Sequence, residues 1–323
     1  MTKPKLIVTR KWPASVEARL RETFDVTLNE TDEPFDAAKF VSAFQNYDAV
    51  LPTVSDKIPA EAYTAPNVRT KLLANFGVGY NHIDITAAHA AGMTVTNTPG
   101  VLTDCTADIA MGLLLSSARR IGEGEREVRS DNWTGWRPTH MIGAKVTGAT
   151  LGIIGFGRIG QAMAHRAHHG FGMKVVFQNR SKVADDIAAQ TNATQLDTVA
   201  EVMAASDFVS LHCPGGQAEP IVNAAALAAM KPSGHLINTA RGDVVDEAAL
   251  TAALKEGRIA GAGLDVFAKE PSIPAELKAL DNVVLAPHLG SATLETREAM
   301  GNMATDNAIA FFDGDTPPNL VQG

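Results

Sequence analysis

Three polar residues each follow a short apolar run in the second half of the chain: Arg241 after HLINTA, Glu270 in DVFAKEP and His288 in VVLAPH. Together they offer an anion clamp and a proton source. A guanidinium presents a planar fork of donors to a carboxylate, which lysine cannot reproduce. An imidazole beside a carboxylate favours its protonated form near neutrality. By residue type alone each also has a plainer reading. Arg241 could be half of an ion pair between elements, His288 a structural histidine in a core, and Glu270, ahead of Pro271, an acid on a surface turn.

A second constellation is TLGIIGFGRIGQAMAHRA, which sets Gly155, Gly157 and Gly160 in GxGxxG register after an apolar run and before a helical pattern. Gly155 permits the tight turn, Gly157 lets backbone approach a pyrophosphate, and Gly160 lets helix and strand pack closely. The helix start adds free N–H groups and a partial positive charge. A glycine-rich turn without a ligand is the alternative, which the flanking strand and helix disfavour. In FGVGYNHID, Gly77 and Gly79 around Val78 suit a backbone nest for an anion, or an ordinary turn before a helix capped near Asp84. His165, His168 and His169 in HRAHHG lack the HExxH spacing of a metal site and suit the last turn of a helix, where cations meet the dipole. No metal is expected.

Two domains are needed to position these groups, since 323 residues exceed one typical core. β-Branched runs starting near 6, 26, 49, 71 and 94 alternate with Ala-rich helical stretches, and a second series of six starts near 151, 174, 208, 235, 261 and 283. Strands separated by helices imply α/β folds with parallel sheets, and Arg241, Glu270 and His288 then fall at carboxyl ends of strands, where such sheets bind ligands. The segment DCTADIAMGLLLSSARRIGEGEREVRS reads as one long helix capped by Thr103 or Asp104 that carries the chain into the second domain. The last segment, with Met300, Met303, Ile309 and Phe312 at helical spacing, is expected to return to the first. The expected domains are therefore 1–100 with 291–323, binding substrate, and 101–290, binding a dinucleotide.

The balance of the chain excludes other classes. A net charge of -8 without clustered Lys and Arg disfavours nucleic acid, yet leaves room for anionic small molecules at local arginines. The apolar run before Arg10 is too short for a signal peptide, and no run of about 18 apolar residues suggests a membrane span. Cys105 and Cys213 form neither a CxxC pair nor a disulfide framework, which fits a reducing cytoplasm.

Several motifs occur in one order: FGVGYNHID at 76, TPGVLTDCTADIAMGLLL at 98, GRIGQ at 157, LHCP at 211, NTARGDVVDEAAL at 238, GAGLDVFAKEP at 261 and APHLGSAT at 286. In these the chain resembles the D-isomer-specific 2-hydroxyacid dehydrogenases, and among them the glyoxylate and hydroxypyruvate reductases, or glycerate dehydrogenases. The resemblance implies two Rossmann-like domains, a discontinuous flavodoxin-like substrate domain and a doubly wound dinucleotide-binding domain. It implies that Arg241, Glu270 and His288 are catalytic, with His288 as general acid. It places the small 2-keto acid against Val78, Gly79, Arg241, His288 and Trp136, with Trp133 and Trp136 on a homodimer arm; simple packing is the alternative for both tryptophans. Beyond the glycine loop with Arg158 and Ile159, it gives the nicotinamide dinucleotide contacts at Thr106, His212, Cys213 and Pro214. It adds Thr239, Ala240, Asp265, His288 and Gly290 to these. Formate or phosphite dehydrogenase, and a nucleotide-sensing regulatory protein, share the scaffold.

Position 179 decides between dinucleotides. An acid about 20 residues beyond the glycine loop marks NAD by accepting from both ribose hydroxyls and repelling a 2′-phosphate. Two unit charges 4 Å apart at an effective dielectric of 20 interact by about 4 kcal/mol, enough to choose. Here VVFQNRSK offers neutral Asn179, cationic Arg180 and the Ser181 hydroxyl, so NADP(H) is expected to be preferred with NAD(H) also used. The alternative has Asn179 bonding the ribose of NADH while Arg180 stacks on adenine.

Overall fold

The computed structural model describes residues 2–322. The chain divides into two compact units, Met1–Leu102 with Ala292–Gly323, and Thr103–Ser291.

The first unit holds five parallel strands, β1 (Lys5–Val8), β2 (Asp25–Thr27), β3 (Ala49–Leu51), β4 (Leu72–Ala74) and β5 (Thr94–Thr96), in the order β2-β1-β3-β4-β5. This is the flavodoxin-like order. Strands β3 and β4 are buried at every position, because helices cover both faces of a parallel sheet and leave no polar side. Alternation along β1 sends Leu6 and Val8 to one face and Ile7 to the other. The first face packs on Met300, Ala304 and Ala308 of the helix Leu294–Asp313, and the second on Phe40 and Phe44. Thr293 caps that helix by accepting from the Thr296 N–H, and Gly314, at φ 88°, ends it in the left-handed conformation.

The second unit holds seven parallel strands: β6 (Thr150–Ile154), β7 (Lys174–Gln178), β8 (Thr194–Gln195), β9 (Phe208–Leu211), β10 (His235–Asn238), β11 (Gly261–Leu264) and β12 (Val283–Leu285). Their order is β12-β11-β10-β9-β6-β7-β8. The chain runs outward from β6 to β8, then resumes at β9 on the other side of β6. That reversal is the switch point at which doubly wound sheets bind ligands. Six strands were expected; the seventh, β8, has two residues and is too short to show a period.

The segment expected as one long helix is two, Thr103–Ala118 and Ile121–Arg129, separated by Arg120 at φ 55°. The break has a visible cause. The Ala118 carbonyl accepts from the Ala144 N–H at 2.8 Å, and only a glycine at 143 lets the returning chain pass so close, since a Cβ there would lie 2.3 Å from that oxygen. Thr103 and Asp104 lie inside the first turn rather than capping it. The helix Arg158–His165 continues into one π turn, Arg166–Gly170, where His168 Nδ1 donates to the Met173 carbonyl at 3.2 Å and His169 Nε2 to that of Gln190 at 3.1 Å. Among the described residues no helix is long and apolar enough to cross a membrane.

Candidate active site

Neighbouring strands β10, β11 and β12 deliver Arg241, Glu270 and His288 from their carboxyl ends. His288 sits at φ 57°, a conformation few side chains adopt. Asp265, just past β11 and 1% exposed, pins this turn. Its carbonyl accepts from the His288 N–H at 3.0 Å, and its carboxylate accepts from Leu289 at 2.6 Å and Gly290 at 2.7 Å. Burial pushes the Asp265 carboxyl up, and these N–H groups with the His288 charge oppose it. Thr106 Oγ1 donates to the Gly290 carbonyl at 2.9 Å and closes the turn from the other side.

His288 Nδ1 lies 2.8 Å from Glu270 Oε2, while Glu270 Oε1 accepts from the Phe267 N–H at 3.0 Å. Burial alone would raise the Glu270 carboxyl; the His288 hydrogen bond and charge, the Phe267 N–H and the Arg241 charge outweigh it and hold it below the ordinary carboxylate range. The His288 side chain is 32% exposed, so it is not a core histidine, and Nδ1 is the ring nitrogen that Glu270 engages. Glu270 is a paired acid, not a free surface one.

Arg241 opens the short turn Gly242–Val244 after β10. Asn238, 1% exposed, fixes that turn by accepting from the Ala240 N–H at 3.0 Å and donating to the Arg241 carbonyl at 2.9 Å. The guanidinium donates to the Ala240 carbonyl at 2.7 Å, and among the described residues it makes no ion pair. Burial pushes its pKa down, while Glu270 and Asp243 pull the other way. A desolvated cation without a carboxylate of its own is a site for an external one.

The glycine loop leaves β6, which β9 separates from β10 in the same sheet. Gly155 has φ 90°, and a Cβ there would lie 2.6 Å from the Cys213 nitrogen; a Cβ on Gly160 would lie 2.3 Å from the Gly155 oxygen. At Gly157, the N-cap of the helix Arg158–His165, a Cβ would meet nothing within 4 Å, so the space over the helix start is open. Arg158 is exposed and Ile159 half-buried in its first turn. Two buried polar atoms at the ends of β9 and β10, His212 Nδ1 and Thr239 Oγ1, have no partner among the described residues. Burial also pushes the His212 imidazole down to about 4 and the Cys213 thiol up to about 11; Pro214 beside them is exposed. Open room at a helix N-terminus and orphaned polar atoms at adjacent strand ends fit an elongated polar ligand such as a dinucleotide.

Beyond β7, Asn179 Oδ1 accepts from the Phe156 N–H at 3.2 Å and Nδ2 donates to the Ser181 carbonyl at 3.1 Å, tying the glycine loop to the 179–181 turn. Arg180 and Ser181 are exposed. In the first unit, the loop with Val78 and Gly79 follows β4. Trp133 and Trp136 are 54% and 83% exposed, so neither is buried in its own chain. A cavity of about 650 Å³ opens at the opposite, amino-terminal end of the second sheet, against His235, Ser117 and Lys255, and contains none of these site residues. Sequence reasoning missed Asn238 as a turn clamp; its sole signal was the amide that opens NTARG.

Residues 111–290 match the family described as D-isomer specific 2-hydroxyacid dehydrogenase, NAD binding domain. The chain is 44% identical over 324 residues to a glyoxylate reductase of Thermococcus onnurineus, covering 99% of this chain and 96% of that protein. It is 43% identical to a glyoxylate reductase of Pyrococcus furiosus, covering 99% and 95%. Among solved structures, the NADPH-dependent glyoxylate/hydroxypyruvate reductase of Sinorhizobium meliloti, in complex with NADP and malonate, aligns at a TM-score of 0.88 with 36% identity over 99% of this chain and 97% of that one. A catalytic-looking acid, imidazole and guanidinium on adjacent strand ends, a dinucleotide loop and full-length likeness converge: the chain belongs to the D-isomer specific 2-hydroxyacid dehydrogenase family, and its second unit carries that family's nicotinamide dinucleotide-binding domain.

Proposed function

We propose that this protein reduces small 2-keto acids, glyoxylate and hydroxypyruvate foremost, to the D-2-hydroxy acids glycolate and D-glycerate, using NADPH in preference to NADH. The observation that carries this reading is the His288–Glu270 pair at 2.8 Å within electrostatic reach of Arg241. Arg241 grips the keto acid through its planar donors. His288, its Nδ1 held by Glu270, offers the Nε2 proton to the carbonyl oxygen as negative charge develops there, and Glu270 stabilises the imidazolium beforehand. Val78 and Gly79 present backbone N–H groups to the substrate carboxylate. When bound, the reduced nicotinamide supplies the hydride for the carbonyl carbon.

The names of the related proteins support the substrate class, and the neutral Asn179 with cationic Arg180 supports NADPH. A homodimer is supported by the clustering of apolar exposure. Of nine large exposed apolar side chains among the described residues, Ile121, Val128, Trp133, Trp136 and Ile142 fall within one short segment. A cytoplasmic setting accords with two unpaired cysteines. The test follows loss of reduced-nicotinamide absorbance with glyoxylate, hydroxypyruvate, pyruvate and phenylpyruvate against both reduced cofactors. Turnover is expected first with glyoxylate and hydroxypyruvate. Dinucleotide binding without turnover of any 2-keto acid would replace this reading with a nucleotide sensor.

A further inference from the structure

Two asparagines of the first unit hold the loop that carries Val78 and Gly79. Asn75, fully buried just past β4, donates from Nδ2 to the carbonyls of Gly77 and Gly79, each at 3.0 Å. Asn97, just past β5, donates from Nδ2 to the Val78 carbonyl at 2.9 Å. Three consecutive carbonyls are thus taken by side-chain amides. The Asn75 amide has one workable orientation, since the reverse would set its oxygen against two carbonyl oxygens. Its Oδ1 is left buried without a partner among the described residues, an unfavourable state that the fold tolerates to keep the loop in place.

Capturing a carbonyl also aims an N–H. In a trans peptide the C=O and the next residue's N–H point to opposite sides, so each captured carbonyl turns the N–H of Val78, Gly79 or Tyr80 away from the amide that holds it. Among the described residues none of these three N–H groups has a hydrogen-bond acceptor. The clamp is itself braced. The Asn97 N–H donates to the Asn319 carbonyl at 3.2 Å, and the Asn97 carbonyl accepts from Nδ2 of fully buried Asn307 at 3.2 Å. Asn307 Oδ1 in turn accepts from the Asn319 N–H at 3.0 Å. Gly77 must lack a side chain, because a Cβ there would lie 2.6 Å from Val54 Cγ1.

We propose that Asn75 and Asn97 are positioning residues for carboxylate recognition. By drawing the loop's carbonyls inward they preorganise the peptide N–H groups of Val78 and Gly79 as donors to an anion. This rests on the assignment of Val78 and Gly79 to the substrate carboxylate in the proposed function. Neither asparagine touches substrate; both act through the peptide groups.

The test compares wild type with Asn97→Ala, Asn97→Asp and Asn75→Ala, each saturated with dinucleotide and titrated with oxalate by calorimetry, alongside kcat and KM for glyoxylate. Oxalate Kd and glyoxylate KM are expected to rise at least about tenfold, with the dinucleotide Kd unchanged and kcat less affected than KM. Asn97→Asp is expected to be worse than Asn97→Ala, since a carboxylate repels the Val78 carbonyl. If folded Asn97→Ala loses thermal stability but keeps wild-type oxalate Kd and KM, the role is structural and the proposal falls. Asn97 is only half-buried, so it carries the test where Asn75→Ala does not fold. Wild type that fails to bind oxalate also overturns the inference. Wild type that binds oxalate but reduces no 2-keto acid counts against the proposed function alone, and weakened oxalate binding in Asn97→Ala then still supports the clamp.

Discussion

The proposed preference for NADPH rests on one side-chain group at position 179. An aspartate would keep the acceptor that Asn179 offers to the Phe156 N–H but would bring a negative charge to the end of β7. Asn179→Asp should therefore leave the glycine loop tied while lowering the NADPH/NADH ratio of kcat/KM at least about tenfold, or about 1.4 kcal/mol. An unchanged ratio in steady-state kinetics with both cofactors refutes the charge argument. A similar single-group test applies to Glu270, whose carboxylate orients His288 and balances its charge. Glu270→Gln keeps the shape and loses the charge, and kcat should drop about a hundredfold with secondary structure intact by circular dichroism. The residue types alone left all three site residues with plausible structural roles. Their partners come from separate strand ends, so it was the ordered motifs, not local spacing, that singled them out.

Elements were legible in proportion to their length and periodicity. Every strand of the first sheet and six of the second announced themselves as short runs between helical stretches, most of them β-branched, whereas Thr194–Gln195 could not. The division of the long helix at Arg120 was equally hidden, because its cause is a glycine at 143 arriving from a distant part of the chain. The Asn97 clamp was hidden for the same reason, since its Val78 partner follows a different strand, whereas Asn75 and Asn238 bond carbonyls within four residues of themselves. Strand β10 also begins with a residue of thermodynamic consequence. His235 is 5% exposed, bonds Ser117 Oγ through Nδ1 at 2.8 Å, and is pushed by burial down to about 4. The unfolded chain protonates such a ring near 6.5, so this histidine favours folding above that pH, and its contribution is lost as pH falls from about 6.5 to 4. In that window its slope is about 1.4 kcal/mol per pH unit. His235→Gln should flatten the fall of stability across the window, measured by urea denaturation at successive pH values, and parallel curves would contradict the assignment. His212, pushed down to about 4 by the same cause, adds a slope of the same sign.

At the scale of the whole molecule, association and chain order matter most. If the exposed apolar segment pairs two copies, Ile121→Asp with Ile142→Asp should convert a sedimenting dimer to a monomer, and a wild-type monomer at micromolar concentration would dispose of the pairing. The unit built from both ends of the chain has its own outcome. Its first face is completed by Met300, Ala304 and Ala308, so the opening stretch leaves the ribosome with apolar strands still uncovered. Translation of the intervening unit, roughly 190 residues at 5–20 per second, imposes a delay of roughly 10–40 s. During that interval the nascent amino-terminal segment keeps apolar surface in water, while the continuous middle portion can already fold behind it.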